Sequence, residues 1–125
     1  MTRFRYLLGA LSLLGMALAP VFADESMSPG RKIFESRCVS CHESATPSTA
    51  TLGPSLAGIV GRKAGTGTTG VHSRAMVESG IVWNRSSLRR FLSDPGREVP
   101  GTIMPVRVED AKVLEDLLNY LETLR

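Results

Sequence analysis

Residues 43–71 constrain the fold of this 125-residue chain more than any other segment. They are rich in Gly, Ser and Thr and contain two prolines, and regular hydrophobic spacing fades across them. A stretch of this length without regular structure is uncommon in a small domain unless it wraps around something or carries function. Because the chain is too short for two ordinary cores, we expect one domain that gains part of its core from a large bound apolar group.

The first 23 residues predict an export signal. Arg3 and Arg5 precede an uncharged apolar stretch that ends in small residues at Ala23. We therefore expect cleavage after Ala23, a mature domain over residues 24–125 without a membrane span, and a periplasmic location. An uncleaved membrane anchor is the alternative, but the apolar stretch is at the lower limit for crossing a bilayer, and Pro20 would interrupt a helix near its end.

The charge balance argues against a nucleic-acid partner. The full chain has a formal net charge of +3, from 15 Lys+Arg and 12 Asp+Glu. Removal of Arg3 and Arg5 with the export signal leaves 13 basic against 12 acidic side chains. A nearly neutral domain lacks the electrostatic surface that nucleic-acid binding requires.

Apolar spacing and capping residues in the mature chain predict an all-α domain with long loops. Ser28 and Asn84 are suitable N-caps, and acidic residues in the first turn of the last helix favour its dipole. Residues 98–108 form a second irregular strap. The predicted helical segments run from Pro29 to the motif Cys38–His42, over residues 73–80 for a turn or two, from Asn84 to Ser93, and from Glu109 or Asp110 along a leucine-rich stripe to Leu124.

The two cysteines of the chain precede a histidine in the pattern C-x-x-C-H, formed by Cys38, Cys41 and His42. This is the attachment pattern of c-type haem, because two thiols one helical turn apart can each add to a vinyl group of the porphyrin and the next imidazole can reach the iron. The alternatives are a thioredoxin-like redox pair, a zinc half-site and a simple disulfide. The redox pair needs a βαβ context, and zinc needs two further ligands, for which only His72 remains.

A second iron ligand has four candidates in the mature chain. Met104 lies on a Pro-rich strap whose restricted backbone could present its sulfur reproducibly, so the residue pattern favours it. Met76 lies in an apolar patch typical of core packing, and Met27 precedes the first helix. His72, in a Gly/Thr-rich loop, is the competing nitrogen ligand.

Residues 28–124 resemble the class I cytochromes c, of the small soluble bacterial type related to mitochondrial cytochrome c. Gly30 and Phe34 stand eight and four residues before Cys38, as in the first helix of that family. The ordered set of further motifs is more specific than C-x-x-C-H alone. It comprises residues 53–56 for G-P-x-L, 61–63 for G-R-K, 80–83 for G-I-x-W, 88–95 for L-x-x-Y-L-x-N-P, 100–104 for P-G-T-x-M, and 117–121 of the terminal helix.

The resemblance implies an all-α class I cytochrome c fold, with three main helices, short helical turns and long loops wrapped around one covalently bound haem c. It makes Cys38 and Cys41 the thioether sites and His42 and Met104 the axial ligands of the iron. It also implies that the Pro54 carbonyl accepts the other ring N–H of His42. The residues that it implies as hydrogen-bond donors to a haem propionate are Arg62, Trp83 and Thr102.

The chain departs from the family pattern beside the haem. His72 stands where the family commonly has Tyr, so we expect it to contact a propionate in a pH-dependent way. Met76 and Phe91 replace a usual Asn and a usual Tyr, and both changes remove polar groups.

The function that follows is a single-electron carrier that cycles between Fe(III) and Fe(II) and shuttles electrons between larger redox proteins, one a donor and one an acceptor. We expect a monomer or a subunit of a hetero-complex, and no enzyme by itself, because nothing resembles a substrate pocket with acid–base residues. A haem subunit docked permanently on a periplasmic dehydrogenase is the alternative, with an apolar patch around Ile103, Pro105 and Val106. A gas-binding or peroxidase-like haem protein is a third possibility, and it would need an open sixth coordination position on the iron. Met104 argues against it, because its sulfur would occupy that position.

Overall fold

The computed structural model describes residues 27–42 and 52–125. The predicted export signal and its cleavage site after Ala23 lie outside the described residues, as does the first part of the predicted loop. No helix in the described ranges has the length and apolar character needed to cross a membrane.

The described chain is built from helices and long ordered loops, as the sequence predicts. Within residues 27–42 and 52–125 there is no β-strand. Strand-like backbone pairing in these ranges is limited to an isolated bridge between Lys63 and Val82. The helices are α1 (Pro29–Arg37), α2 (Arg74–Glu78), α3 (Arg85–Ser93), α4 (Pro95–Glu98) and α5 (Ala111–Leu121).

Side-chain caps set the start of each of the three longer helices. Ser28, Asn84 and Asp110 cap α1, α3 and α5, and each side chain accepts a hydrogen bond from the backbone N–H three residues later. These bonds satisfy amide donors that have no partner inside the helix. The predicted starts of the first, third and last helical segments are therefore explained by local chemistry.

The predicted strap over residues 98–108 begins differently from expectation, because a short helix precedes it. Asp94 and Pro95 end α3 but immediately start α4: the Asp94 carboxylate accepts from the Arg97 N–H at 3.3 Å, and Pro95 occupies the first helical position. The strap then rejoins α3 through a hydrogen bond from the Val108 N–H to the Leu92 carbonyl, 2.8 Å long.

The crossing of α1 and α5 is the closest helix contact in the fold. Gly30 is buried there, and a Cβ at this position would collide with the backbone carbonyl of Asp116. One turn further on, the rings of Phe34 and Tyr120 pack with centroids 5.3 Å apart. Helix α3 packs against α4 and α5. On its outer side, the Arg85 guanidinium donates to the Glu115 carboxylate of α5 at 2.7 Å.

We predict that Gly30→Ala lowers the free energy of unfolding by about 1–3 kcal/mol, because the added methyl group forces α1 away from α5. Gly96→Ala is the matched control: Gly96 is exposed, and no atom lies within 4 Å of the position of its Cβ. This control should change stability by less than about 1 kcal/mol. Denaturant unfolding of the two variants checks the prediction, and equal effects would contradict it.

Candidate cofactor site

One large apolar cavity, of about 470 Å³, lies between the helices and the two irregular segments. The residues after α1, the inner faces of α3 and α5, the loop of residues 52–73 and the strap of residues 99–108 all contribute to its wall. The cavity is lined by every predicted site residue: Cys38, Cys41, His42, Pro54, Arg62, His72, Trp83, Thr102 and Met104.

Both thiols lie on the turn that follows α1. The backbone N–H groups of Cys41 and His42 each donate to the Cys38 carbonyl, at 3.0 and 2.8 Å, so the motif continues the winding of the helix. Neither cysteine forms a disulfide within the described residues. Burial raises the pKa of the Cys38 thiol to about 11, although the charge of Arg37 acts in the opposite direction. The turn therefore presents both thiols to the cavity.

The imidazole ring of His42 forms one hydrogen bond, and this bond fixes its tautomer. Its Nδ1 lies 2.8 Å from the Pro54 carbonyl oxygen, which can only accept, so Nδ1 carries the proton. Burial lowers the pKa of His42, and the bond to Pro54 opposes this only in part. The ring is therefore neutral, with a free lone pair on Nε2, which is the form that binds a metal.

A glycine allows the loop to pass against the His42 ring. A Cβ on Gly53 would lie 2.5 Å from Cε1 and 2.7 Å from Nδ1 of His42. The Gly53 N–H donates to the Cys41 carbonyl at 2.8 Å, which anchors the loop beside the motif. The sequence pattern marked Gly53 only as part of G-P-x-L, and the contact shows why a side chain is excluded there.

Hydrogen bonds close the loop of residues 52–73 into a wall of the cavity. The Val71 N–H donates to the Leu52 carbonyl at 3.0 Å, and the Ser55 N–H donates to the Thr69 hydroxyl at 3.0 Å. These two bonds hold the chain before and after Pro54 against the chain near Val71. The Gly- and Thr-rich composition thus gives an ordered support for the Pro54 carbonyl.

Two thioethers line the cavity. Met104 is half-buried on the strap, where its N–H donates to the Thr102 hydroxyl at 3.3 Å. Met76 projects from α2 and is also half-buried. Met27 is exposed and lines a separate cleft at the start of α1, so the structure does not bring it to the cavity.

The charged groups on the cavity wall are all cationic in the part of the chain that the structure describes: Arg37, Arg62 and Lys63, with no Asp or Glu. Arg62 donates to the carbonyls of Ser55 and Ala57, at 2.6 and 3.1 Å, and burial lowers its pKa.

Trp83 adds an unused hydrogen-bond donor to this wall. The residue is only 6% exposed, and its ring packs against Phe91 with centroids 5.2 Å apart. Its indole N–H has no hydrogen-bond partner among the residues described. A buried donor beside cationic groups fits an anionic ligand that enters from the cavity.

The donor set fits a covalently attached iron porphyrin. An apolar cavity matches the porphyrin ring, two adjacent thiols match its vinyl groups, and a neutral imidazole and a thioether match the iron. Cationic side chains and the unpartnered indole match its carboxylates.

The sequence identified few of the apolar residues that line the cavity. Leu88 and Leu92 on α3 and Leu117 and Leu121 on α5 follow from helical periodicity, although the pattern alone does not say that they face a cavity. Ile59 and other apolar residues of the loop carry no periodic signal, and only the folded arrangement identifies them.

Comparison with known proteins finds members of one family. The family model described as Cytochrome c matches residues 27–125. Cytochrome c from Tetrahymena pyriformis is 43% identical over 98 residues, which cover 78% of this chain and 87% of that protein. Cytochrome c2 from Blastochloris viridis is 33% identical over 119 residues, covering 94% of this chain and 92% of that protein.

A solved structure shows the same fold. Cytochrome cH from Methylobacterium extorquens superposes with a TM-score of 0.67 at 37% identity, covering 76% of this chain and 95% of the other. The predicted family, fold and covalent haem are confirmed by these matches. The chain therefore belongs to the cytochrome c family, and it is an electron-transfer protein with one covalently bound haem c rather than an enzyme.

Proposed function

We propose that this cytochrome is a periplasmic single-electron carrier with His42 and Met104 as axial ligands and with Cys38 and Cys41 as the haem attachment sites. The bond from His42 Nδ1–H to the Pro54 carbonyl carries the proposal, because it leaves Nε2 free in the cavity that Met104 also lines. The haem supplies the one-electron Fe(III)/Fe(II) couple.

The residues of the chain keep the two proposed ligands in place while the charge of the iron changes. Pro54 holds the His42 ring in one orientation and one tautomer. The Thr102 hydroxyl accepts from the Met104 N–H, and the Thr102 N–H donates to the Val99 carbonyl at 3.0 Å, which orders the strap. Fixed ligands require little rearrangement during electron transfer, which suits a carrier.

We predict that Met104→Ala keeps the covalent haem but opens its sixth coordination position. The ferric protein should lose the weak red absorption band that a thioether–iron bond produces, and the reduced protein should bind carbon monoxide. Visible spectra of oxidised, reduced and carbon monoxide-treated protein check both effects.

Met76 and Met27 provide the matched controls for this experiment. Met76→Leu removes the second thioether of the cavity and Met27→Leu removes one outside it, so both should retain the red band. Loss of the band in Met76→Leu but not in Met104→Ala would assign the ligand to Met76. A parent protein that lacks the band and binds carbon monoxide would support the gas-binding or peroxidase-like alternative.

The cationic part of the wall is the proposed site of the haem propionates. Trp83, Thr102 and Arg62 all line the cavity, and no described carboxylate lines it. Buried propionates need donors of this kind to offset the loss of water. His72 lies on the same wall, with its Nε2 3.0 Å from the Gly67 carbonyl.

We predict that Arg62→Gln lowers the midpoint potential by an amount on the order of tens of millivolts, because a positive charge near the haem favours the reduced state. Arg62→Lys keeps the charge and should lower it less. Arg74→Gln is the control, since Arg74 is exposed and paired with Glu78 at 2.7 Å. Redox titration of the three variants measures the shifts, and equal shifts in Arg62→Gln and Arg74→Gln would contradict the proposed position of Arg62.

The mouth of the cavity offers a small apolar surface to redox partners. Leu52, Val71 and Ile103 all line the cavity and are 71%, 57% and 63% exposed. Pro105 beside them is also exposed, whereas Val106 is half-buried. Apolar residues at the mouth of the cavity suit contact with a redox partner through the haem edge, and a permanent subunit would need a larger apolar interface around them.

The export signal and the haem count can be tested on protein made in a bacterial host, and the free state of the carrier on an extract of the source cells. In a bacterial host with cytochrome c maturation, we expect the periplasmic extract to contain a species with the mass of residues 24–125 plus one haem. Native size exclusion of the extract from the source cells should place it at the size of a monomer. A mass that includes residues 1–23 would contradict cleavage, and co-elution with a larger dehydrogenase would favour the docked subunit.

A further inference from the structure

The peptide group that joins Pro54 to Ser55 forms a hydrogen bond at each end. Its carbonyl oxygen accepts from His42 Nδ1 at 2.8 Å, and its N–H donates to the Thr69 hydroxyl at 3.0 Å. The described residues contain no cis peptide bond, so the C=O and the N–H of this planar group point in opposite directions. The Thr69 hydroxyl therefore lies on the far side of the peptide group from His42.

A hydroxyl in this position acts on the Pro54 carbonyl in two ways. Because the peptide group is rigid, an acceptor that fixes the direction of the N–H also fixes the direction of the C=O. The acceptor also polarises the group, because successive hydrogen bonds in a chain strengthen one another, so the carbonyl binds the His42 proton more strongly. A stronger bond at Nδ1 in turn raises the basicity of Nε2, the proposed iron ligand.

Close backbone contacts keep Thr69 at this peptide group. A Cβ on Gly70 would collide with the Gly53 carbonyl, so the chain just after Thr69 packs directly on the residue before Pro54. Gly67 passes close to the proline ring, where a Cβ would lie 3.1 Å from Cβ of Pro54. The segment on both sides of Thr69 is thus packed against residues 53–54.

Arg62 supports the next peptide group and not this one. Its guanidinium donates to the Ser55 carbonyl at 2.6 Å, which belongs to the bond between Ser55 and Leu56. Among the described residues, the partner of the Ser55 N–H is Thr69. Thr69 does not line the cavity, so its route to a bound group runs through the Pro54 carbonyl and His42.

We propose that Thr69 is a positioning residue for the axial ligand His42, acting through the peptide group between Pro54 and Ser55. Its hydroxyl keeps the Pro54 carbonyl directed at His42 Nδ1 and strengthens that bond. The more basic imidazole favours the higher charge of Fe(III), so Thr69 lowers the midpoint potential without contacting the haem. The inference rests on the proposed function, because it needs His42 as an iron ligand.

The test replaces Thr69 in the intact haem protein by Val, which keeps the shape but has no acceptor, and by Ser, which keeps the hydroxyl. NMR of the reduced protein measures exchange of the His42 Nδ1 proton with water, and redox titration measures the midpoint potential. In Thr69→Val the exchange should become about threefold to tenfold faster, the change expected for loss of one hydrogen bond. The midpoint potential should rise, and Thr69→Ser should return both values toward those of the parent protein.

Thr66→Val is the matched control. Thr66 lies in the same loop, and its hydroxyl donates to the Lys63 carbonyl at 2.6 Å, so the variant loses a hydrogen bond that does not involve the Pro54 peptide group. It should leave the His42 proton exchange and the midpoint potential unchanged. Equal changes in Thr66→Val and Thr69→Val, or no change in Thr69→Val, would overturn the proposal.

The parent protein provides a second measurement that does not depend on a variant folding. The backbone N–H of Ser55 should exchange with water more slowly than that of Thr68, which is exposed and has no backbone hydrogen-bond partner within the described residues. Equal exchange at the two amides would overturn the proposal. Failure of the proposed function is separate: it would show as absence of covalent haem or of the red absorption band in the parent protein.

Discussion

The fold depends on an apolar cavity that the helices leave open between them. Leu88 and Leu92 on α3 and Leu117 and Leu121 on α5 are buried, yet they line this cavity as well as packing on one another. In the proposed function, the haem supplies the apolar surface that completes their environment. A domain of this size buries a smaller share of its surface than a larger domain does, so in the proposed function the haem is part of the core rather than an addition to it.

The helix crossing determines where the haem-binding motif is presented. The absence of a side chain at Gly30 lets α1 approach the backbone of α5, and Phe34 then packs on Tyr120. The turn that carries Cys38 and His42 follows directly from this anchored helix. The side chain of His42, the proposed axial ligand, therefore takes its position from the close α1–α5 crossing, and the Pro54 carbonyl sets the orientation and tautomer of its ring.

The irregular segments are ordered by hydrogen bonds and supply most of the polar chemistry. Arg62 ties two carbonyls of its own loop together while its charge faces a wall without carboxylates. The same loop positions His72, whose single engaged nitrogen leaves the other available. The loops therefore supply most of the charged and polar groups of the cavity, with Arg37 at the end of α1 as an exception, whereas the other helices provide its apolar volume.

The sequence alone determined the local features: helix starts at Ser28, at Asn84 and at Glu109 or Asp110, and covalent haem chemistry at C-x-x-C-H. These depend on neighbours within a few residues, so a linear pattern contains them. Only the tertiary structure showed that Met76 lines the cavity beside Met104, that Gly53 makes room for the His42 ring, and that α4 starts where α3 ends. Contacts within an irregular loop have no periodicity, because they are set by distant backbone hydrogen bonds and by the volume that the helices leave.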